Sequence, residues 1–150
     1  MRAITITAVG SETFDSAASL LVRFFQEEGF TTPPDHIKAN LITMLGDGSC
    51  WAGLASIDGA VVGVVTVTTM LYVEWGRLGE IGDLYVIPEY RGSGVARALI
   101  DASQMWCREK ECSAVSVVIT EDGDARRQLS KFYEAHNFQR TGRMIMMRVG

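Results

Sequence analysis

Two hydrophobic periods alternate along the chain. "AITITAV", residues 3–9, repeats at every second position, as a strand with one buried face does. "SETFDSAASLLVRFFQEEG" spaces its apolar residues three and four apart and stops at Gly29, which predicts a helix. "TTPPDHIKANLITMLGDG" predicts a second helix, with Pro34 acceptable in its first turn. "CWAGLASI" and "VVGVVTVTTML" flank Asp58-Gly59, a hairpin signal. "LGEIGDLYVI" reads as another strand. "GVARALIDASQMWCREKE" reads as a helix whose apolar face is Val95, Leu99, Ala102 and Trp106. "SAVSVVIT" predicts a strand, "DARRQLSKFYEAHNF" one helix, and "RMIMMRV" a last strand. The order predicts an α/β (α+β) fold: a mixed sheet with helices on both faces.

Composition narrows the class. A chain of 150 residues, 47% hydrophobic and 21% charged, suits one soluble globular domain over residues 1–150. No apolar run has membrane-spanning length, and "MRAITITAVG" lacks a signal-peptide layout. Cys50, Cys107 and Cys112 have no metal-like spacing and read as reduced thiols in a cytoplasmic protein. The two histidines, His36 and His136, are far apart, so no metal is expected. A net charge of −4 argues weakly against nucleic acid and suits a cationic substrate.

The stretch "PEYRGSGVARALI" puts two glycines between an apolar strand and a helix. Glycine weakens both elements, so it marks either a turn that needs its conformations or a backbone that approaches a ligand. Free N–H groups at a helix start, aided by the helix dipole, suit phosphate oxygens. Arg91 could add a charge-assisted hydrogen bond. No Gly-Lys-Ser/Thr follows, so this is not a Walker loop, and the spacing is not that of a dinucleotide fingerprint. The plain alternative is a tight turn with a solvated arginine.

"LYVIPEYRGSGVARALI" resembles the acetyl-CoA-binding motif of the GNAT family of N-acetyltransferases, an Arg/Gln-x-x-Gly-x-Gly/Ala core. Arg91, Gly92, Ser93, Gly94, Val95 and Ala96 carry the match. Downstream, "FYEAHNF" resembles the family's Tyr-containing segment, and the order of elements agrees over nearly the whole chain. The resemblance implies a sheet splayed between its fourth and fifth strands, with acetyl-CoA as cosubstrate in the cleft. The pantetheine arm would pair with backbone near Leu84, Tyr85 and Val86, and the pyrophosphate would rest on the amides of residues 91–96.

Acetyl transfer to an amine needs a base, an oxyanion donor and an acid. The resemblance offers Tyr133 as the acid beside the coenzyme sulfur and a backbone N–H around Val86 as the donor. A core aromatic beside Phe132 is the plain reading of Tyr133. Glu80 and Asp83 are the candidate bases, Glu80 first. Their offset of three puts them on opposite strand faces unless Gly82 makes a bulge, so one of them is expected to reach the cleft. Either could instead be a solvated or ion-paired carboxylate. Glu74, Glu80 and Asp122 are candidate substrate-binding carboxylates. The rest of "TEDGD", with Glu121 and Asp124, reads as a polar loop and helix start, with Asp124 as cap.

Two positions depart from the family. Its frequent asparagine seven residues before the tyrosine is Arg126, which could approach the phosphates or face solvent. Its glycine before the last phenylalanine is Asn137, which tolerates the left-handed conformation. The first half of the chain, which usually sets the acceptor, matches nothing specific. An aminoglycoside is the first specific expectation, since the coenzyme region looks similar to that of aminoglycoside N-acetyltransferases. A peptide or protein N-terminus is second. A non-catalytic coenzyme A-binding module is the reading from another class, and Tyr133 with Glu80 argues against it. The apolar terminal strand "RMIMMRV" predicts a homodimer.

Overall fold

Among the described residues, five strands make one sheet in the order β1 (Ile4–Ala8), β2 (Cys50–Ile57), β3 (Ala60–Tyr72), β4 (Gly76–Val86) and β5 (Ala114–Val117). The computed structural model describes residues 2–141, 147 and 149, and only the backbone of Glu121 and Asp122. The chain falls into two compact units, Met1–Ser116 and Val117–Gly150, each described by itself.

In the first unit, β1 to β4 form an antiparallel meander. Asp58 and Gly59 join β2 to β3 with φ of 50° and 80°, the left-handed pair that a two-residue hairpin turn requires. Ser113 N–H donates to the Arg77 carbonyl at 2.8 Å, and Ser116 Oγ to the Gly79 carbonyl at 3.2 Å. These bonds advance the same way along both segments, so β5 runs parallel to β4 and the sheet is mixed.

Helices cover both faces, as the pattern predicts. On one face, α1 (Phe14–Glu27) and α2 (Pro34–Leu45) bury Ala17, Leu21, Ile37 and Leu41 against Leu54, Val64 and Tyr85. Pro33 and Pro34 open α2, where a missing N–H leaves no bond unmade. On the other face lies α3 (Val95–Glu109). It comes so near β3 that a Cβ on Gly63 would stand 3.0 Å from Val95 Cγ1 and 3.1 Å from Leu99 Cδ1.

The buried stripe of α3 differs from expectation. Val95, Leu99, Ile100, Ser103 and Cys107 are buried, while Ala102 and Trp106 are half-buried. Ser103 donates its hydroxyl to the Leu99 carbonyl at 2.8 Å. A polar residue satisfied within its own helix can sit in the core, and an apolar count misses it. Trp106 stacks instead on Trp51, with ring centres 6.1 Å apart.

In the second unit, the single predicted helix is two: α4 (Glu121–Arg127) and α5 (Leu129–Glu134). Gln128 takes a left-handed conformation between them, φ 51°. Thr120 caps α4 by accepting from Gly123 N–H at 3.0 Å. Asp124, expected to cap that helix, accepts instead from Ser130 N–H at 2.8 Å and Ser130 Oγ at 2.9 Å. It therefore caps α5 from inside α4, and that bond stabilises the break. Asn137 closes the segment with φ 71°, as expected. Most of the predicted strand "RMIMMRV" lies outside the described residues.

Candidate active site

The glycine stretch opens as a shaped turn. A single 3₁₀ turn, Pro88–Tyr90, follows β4, and Ser93 closes the next step by donating its hydroxyl to the Tyr90 carbonyl. Gly92 and Gly94 both take left-handed backbone, φ 82° and 90°. A Cβ on Gly92 would meet nothing within 4 Å, so the space over the turn is open. The first intrahelical bond of α3 runs from Ala98 N–H to the Gly94 carbonyl, 3.1 Å. The amides of residues 94–97 thus have no acceptor in their own helix, and the positive end of α3 lies behind them. Val95 is buried, so it and Ala96 can serve a ligand through backbone. The open space and this donor set fit a diphosphate.

Arg91 is placed differently from expectation. Its Nε donates to the Val86 carbonyl at 2.8 Å, and its Nη2 lies 3.2 Å from Glu27 Oε1. Its guanidinium stands 5.5 Å from the centre of the Tyr85 ring. The side chain is turned back onto β4 and α1, where it satisfies three partners. Only its amide shares the turn. Tyr85 completes the group by donating its hydroxyl to the other oxygen of Glu27. Burial first, and then Glu27, pushes the Tyr85 phenol up to about 12.

The bonds between β5 and β4 involve Arg77 and Gly79, in the first half of β4. Strand β5 is only four residues long, so Leu84, Tyr85 and Val86 run on past its end. This is the splay that the resemblance implies.

A bulge brings the two candidate bases together. Thr66 pairs with Asp83 and Val67 with Ile81, so Gly82 is the extra residue. Glu80 stands opposite Thr68 and Asp83 opposite Thr66. Thr66 and Thr68 are two positions apart on β3, so both carboxylates share a face. The Gly82 bulge is the stated exception to opposite faces, and it puts both carboxylates on the same side of the sheet. That face also carries Val64 and Tyr85 and is the one beneath α1 and α2. Thr66 Oγ1 donates to Asp83 Oδ2 at 2.6 Å. Burial raises the Asp83 carboxyl above the usual range, and the Thr66 bond partly offsets it. Burial also raises Glu80.

The other candidates are dispersed. Glu74 sits in the turn between β3 and β4, at the far end of β4 from Val86, roughly 30 Å along the strand. Tyr133, Arg126 and Asp122 belong to the second unit. There Tyr133 is buried and meets Phe132 and Phe138 edge-on, with centres 5.0 and 5.3 Å away. Burial pushes its phenol up to about 12. Arg126 is exposed near the end of α4, and the Asp122 side chain lies outside the described part. Sequence reasoning missed Thr66 and Glu27. Thr66 looks like any strand threonine in "VVTVTT", and Glu27 lies 64 positions from Arg91, so neither carries a local signal.

Known proteins are similar to this chain. An uncharacterized N-acetyltransferase of Archaeoglobus fulgidus is 28% identical over 89 residues, 58% of each chain. An aminoglycoside N(6')-acetyltransferase type 1 of Stenotrophomonas maltophilia is 32% identical over 99 residues, 61% of each chain. The matches span about three-fifths of these curated relatives. Among solved structures, an aminoglycoside N-acetyltransferase, AAC(6')-Iy, in complex with CoA superposes with a TM-score of 0.85. It is 22% identical, with 99% of this chain and 96% of that one covered. The glycine turn at the mouth of α3, the splayed β4 and the order of elements have one shared explanation, and residues 14–138 match the family directly: the chain belongs to the acetyltransferase (GNAT) family.

Proposed function

We propose that this chain is an acetyl-CoA-dependent N-acetyltransferase acting on a primary amine of a small cationic molecule, an aminoglycoside first among them. One observation carries the reading. The single strand β4 presents two burial-shifted carboxylates, Glu80 and Asp83, and leads directly into the open glycine turn. Coenzyme recognition and proton removal are thereby supplied by one continuous stretch of chain.

Acetyl-CoA would supply an acyl group activated as a thioester. The amides of residues 92–96 would hold its diphosphate, the Arg91 amide being engaged by the Pro88 carbonyl at 3.3 Å. The outer edge of Leu84–Val86, where Arg91 already occupies the Val86 carbonyl, would hold its pantetheine arm. Asp83 or Glu80, directly or through a water, takes the proton that an acceptor ammonium must lose before its nitrogen can attack. Burial suits both to this task, because it makes them stronger bases than exposed carboxylates. Their charge also attracts a polycation. A backbone N–H near Val86 donates to the developing oxyanion. Tyr133, its phenol kept protonated by burial, holds the proton for the departing thiolate. The aminoglycoside preference takes its support from the two relatives of that activity.

The test is thiol release from acetyl-CoA with a panel of aminoglycosides, polyamines and peptides. Turnover with an aminoglycoside supports the full reading. Turnover confined to peptides replaces the acceptor, and binding of acetyl-CoA without turnover on any amine leaves a coenzyme-binding module. We also propose a homodimer, which a monomer mass by light scattering at micromolar concentration would refute.

A further inference from the structure

Glu27 ends α1, and its carboxylate joins two other elements. One oxygen accepts from the buried Tyr85 hydroxyl of β4. The other lies 3.2 Å from Arg91 Nη2, at the entrance to the glycine turn. Arg91 is held further by the Val86 carbonyl, 2.8 Å from its Nε, and by the Tyr85 ring. One helical turn earlier, Arg23 reaches both Glu27, at 3.8 Å, and Glu89 of the 3₁₀ turn, at 3.7 Å. Two side chains of α1 therefore grip the segment leading into the coenzyme turn at two points.

We infer that Glu27 is a positioning residue for the coenzyme turn, acting through Arg91 to hold residues 91–94 in their binding form before acetyl-CoA arrives. The inference rests on the coenzyme reading above. Gly92 and Gly94 give the turn wide backbone freedom. Freedom that must be lost on binding weakens affinity, and a turn ordered beforehand avoids that loss. Arg91 immediately precedes Gly92, so fixing its side chain fixes the entry to the flexible part. The Glu27 side chain is 28% exposed and that of Arg91 39%. Their pairing is charge-assisted and partly shielded, which makes it stronger than a fully solvated ion pair. Arg91 spends its guanidinium on this clamp, and the phosphates are left to the amides.

The experiment measures acetyl-CoA affinity by calorimetry, and kinetics on the best acceptor, for wild type, Glu27→Gln, Glu27→Ala, Arg91→Met and the double variant Glu27→Ala/Arg91→Met. Glu27→Ala should bind acetyl-CoA roughly three- to tenfold more weakly, with kcat at saturating acetyl-CoA nearly unchanged. Glu27→Gln can still accept from Tyr85 but loses the charge, so it should fall between; it carries the test if the alanine variant fails to fold. The double variant should bind no more weakly than Arg91→Met alone, because both changes break one clamp. Unchanged or tighter binding by both Glu27 variants overturns the inference, as do fully additive losses. A wild-type chain that binds no acetyl-CoA overturns the coenzyme reading, and the inference with it.

Discussion

Thr66 Oγ1 donates to Asp83 Oδ2 at 2.6 Å across the β3–β4 pair, at the point where the Gly82 bulge shifts the register. The bond favours the ionised carboxylate while burial disfavours it. Thr66→Val keeps the shape and removes the donor, so the Asp83 pKa should rise further. If Asp83 is the base, the acid limb of kcat/KM then moves to higher pH, and loss of rate on acidification begins earlier. A limb that stays in place would assign it to another group.

Asp83→Asn should lower activity and raise stability together. The Asp83 carboxyl has a folded pKa above its ordinary value of 3.8. The fold therefore bears a cost for the charged form, full above the folded pKa and absent below the ordinary one. Asparagine removes that cost while still accepting from Thr66. Thermal melts should show the variant more stable than wild type near neutral pH, with the advantage disappearing as pH falls below 3.8. If Asp83 is the base, its loss should lower kcat by about 10²–10⁴-fold. Full activity in Asp83→Asn would move the role to Glu80, for which Glu80→Gln is the matching variant.

Tyr133→Phe should lower kcat by about 10²-fold, the low end for a general acid, because a thiolate is already a tolerable leaving group. Burial pushes the phenol up to about 12, so it stays protonated at lower pH and contributes no alkaline limb there. KM should change little, because the proton matters mainly in the transition state. Near-normal kcat in steady-state assays would make Tyr133 a packing residue of the Phe132 and Phe138 cluster.

Gly94→Asp should abolish acetyl-CoA binding. It places a charge beside the amides proposed to hold the diphosphate and forces a side chain onto backbone with φ 90°. The left-handed strain alone costs about 1–2 kcal/mol, which a stable fold survives. Calorimetry should show binding lost while circular dichroism shows the fold kept; unchanged affinity would remove the turn from the site.

Gly63→Ala tests the seat of α3. The added methyl would meet Val95, Leu99 and the Tyr85 carbonyl at 3.0–3.1 Å. Overpacking of this kind costs about 1–3 kcal/mol. Chemical denaturation should report that loss, and weaker acetyl-CoA binding should accompany it, because α3 carries the turn. An equally stable variant would show that the helix can shift without loss.

The sequence by itself determined the strands and helices of the first unit and the glycine turn. Alternation in "AITITAV", helical spacing in "SETFDSAASLLVRFFQEEG" and Asp58-Gly59 are local signals, and local backbone sterics answer them directly. Gly92 and Gly94 were legible for the same reason, since their left-handed backbone is a property of single residues. Tertiary structure decided what depends on distant partners. Whether Gly82 bulges is settled by how β3 pairs with β4, and only that pairing puts Glu80 and Asp83 on one face. The break at Gln128 comes with a bond from Asp124 to Ser130, which an apolar period cannot register. A phosphate contact or a solvated side chain is all that the sequence neighbours of Arg91, the turn itself, suggest for it. Its neighbours in space are Glu27 and Tyr85, and a guanidinium pairs with whichever acceptors the fold brings within reach.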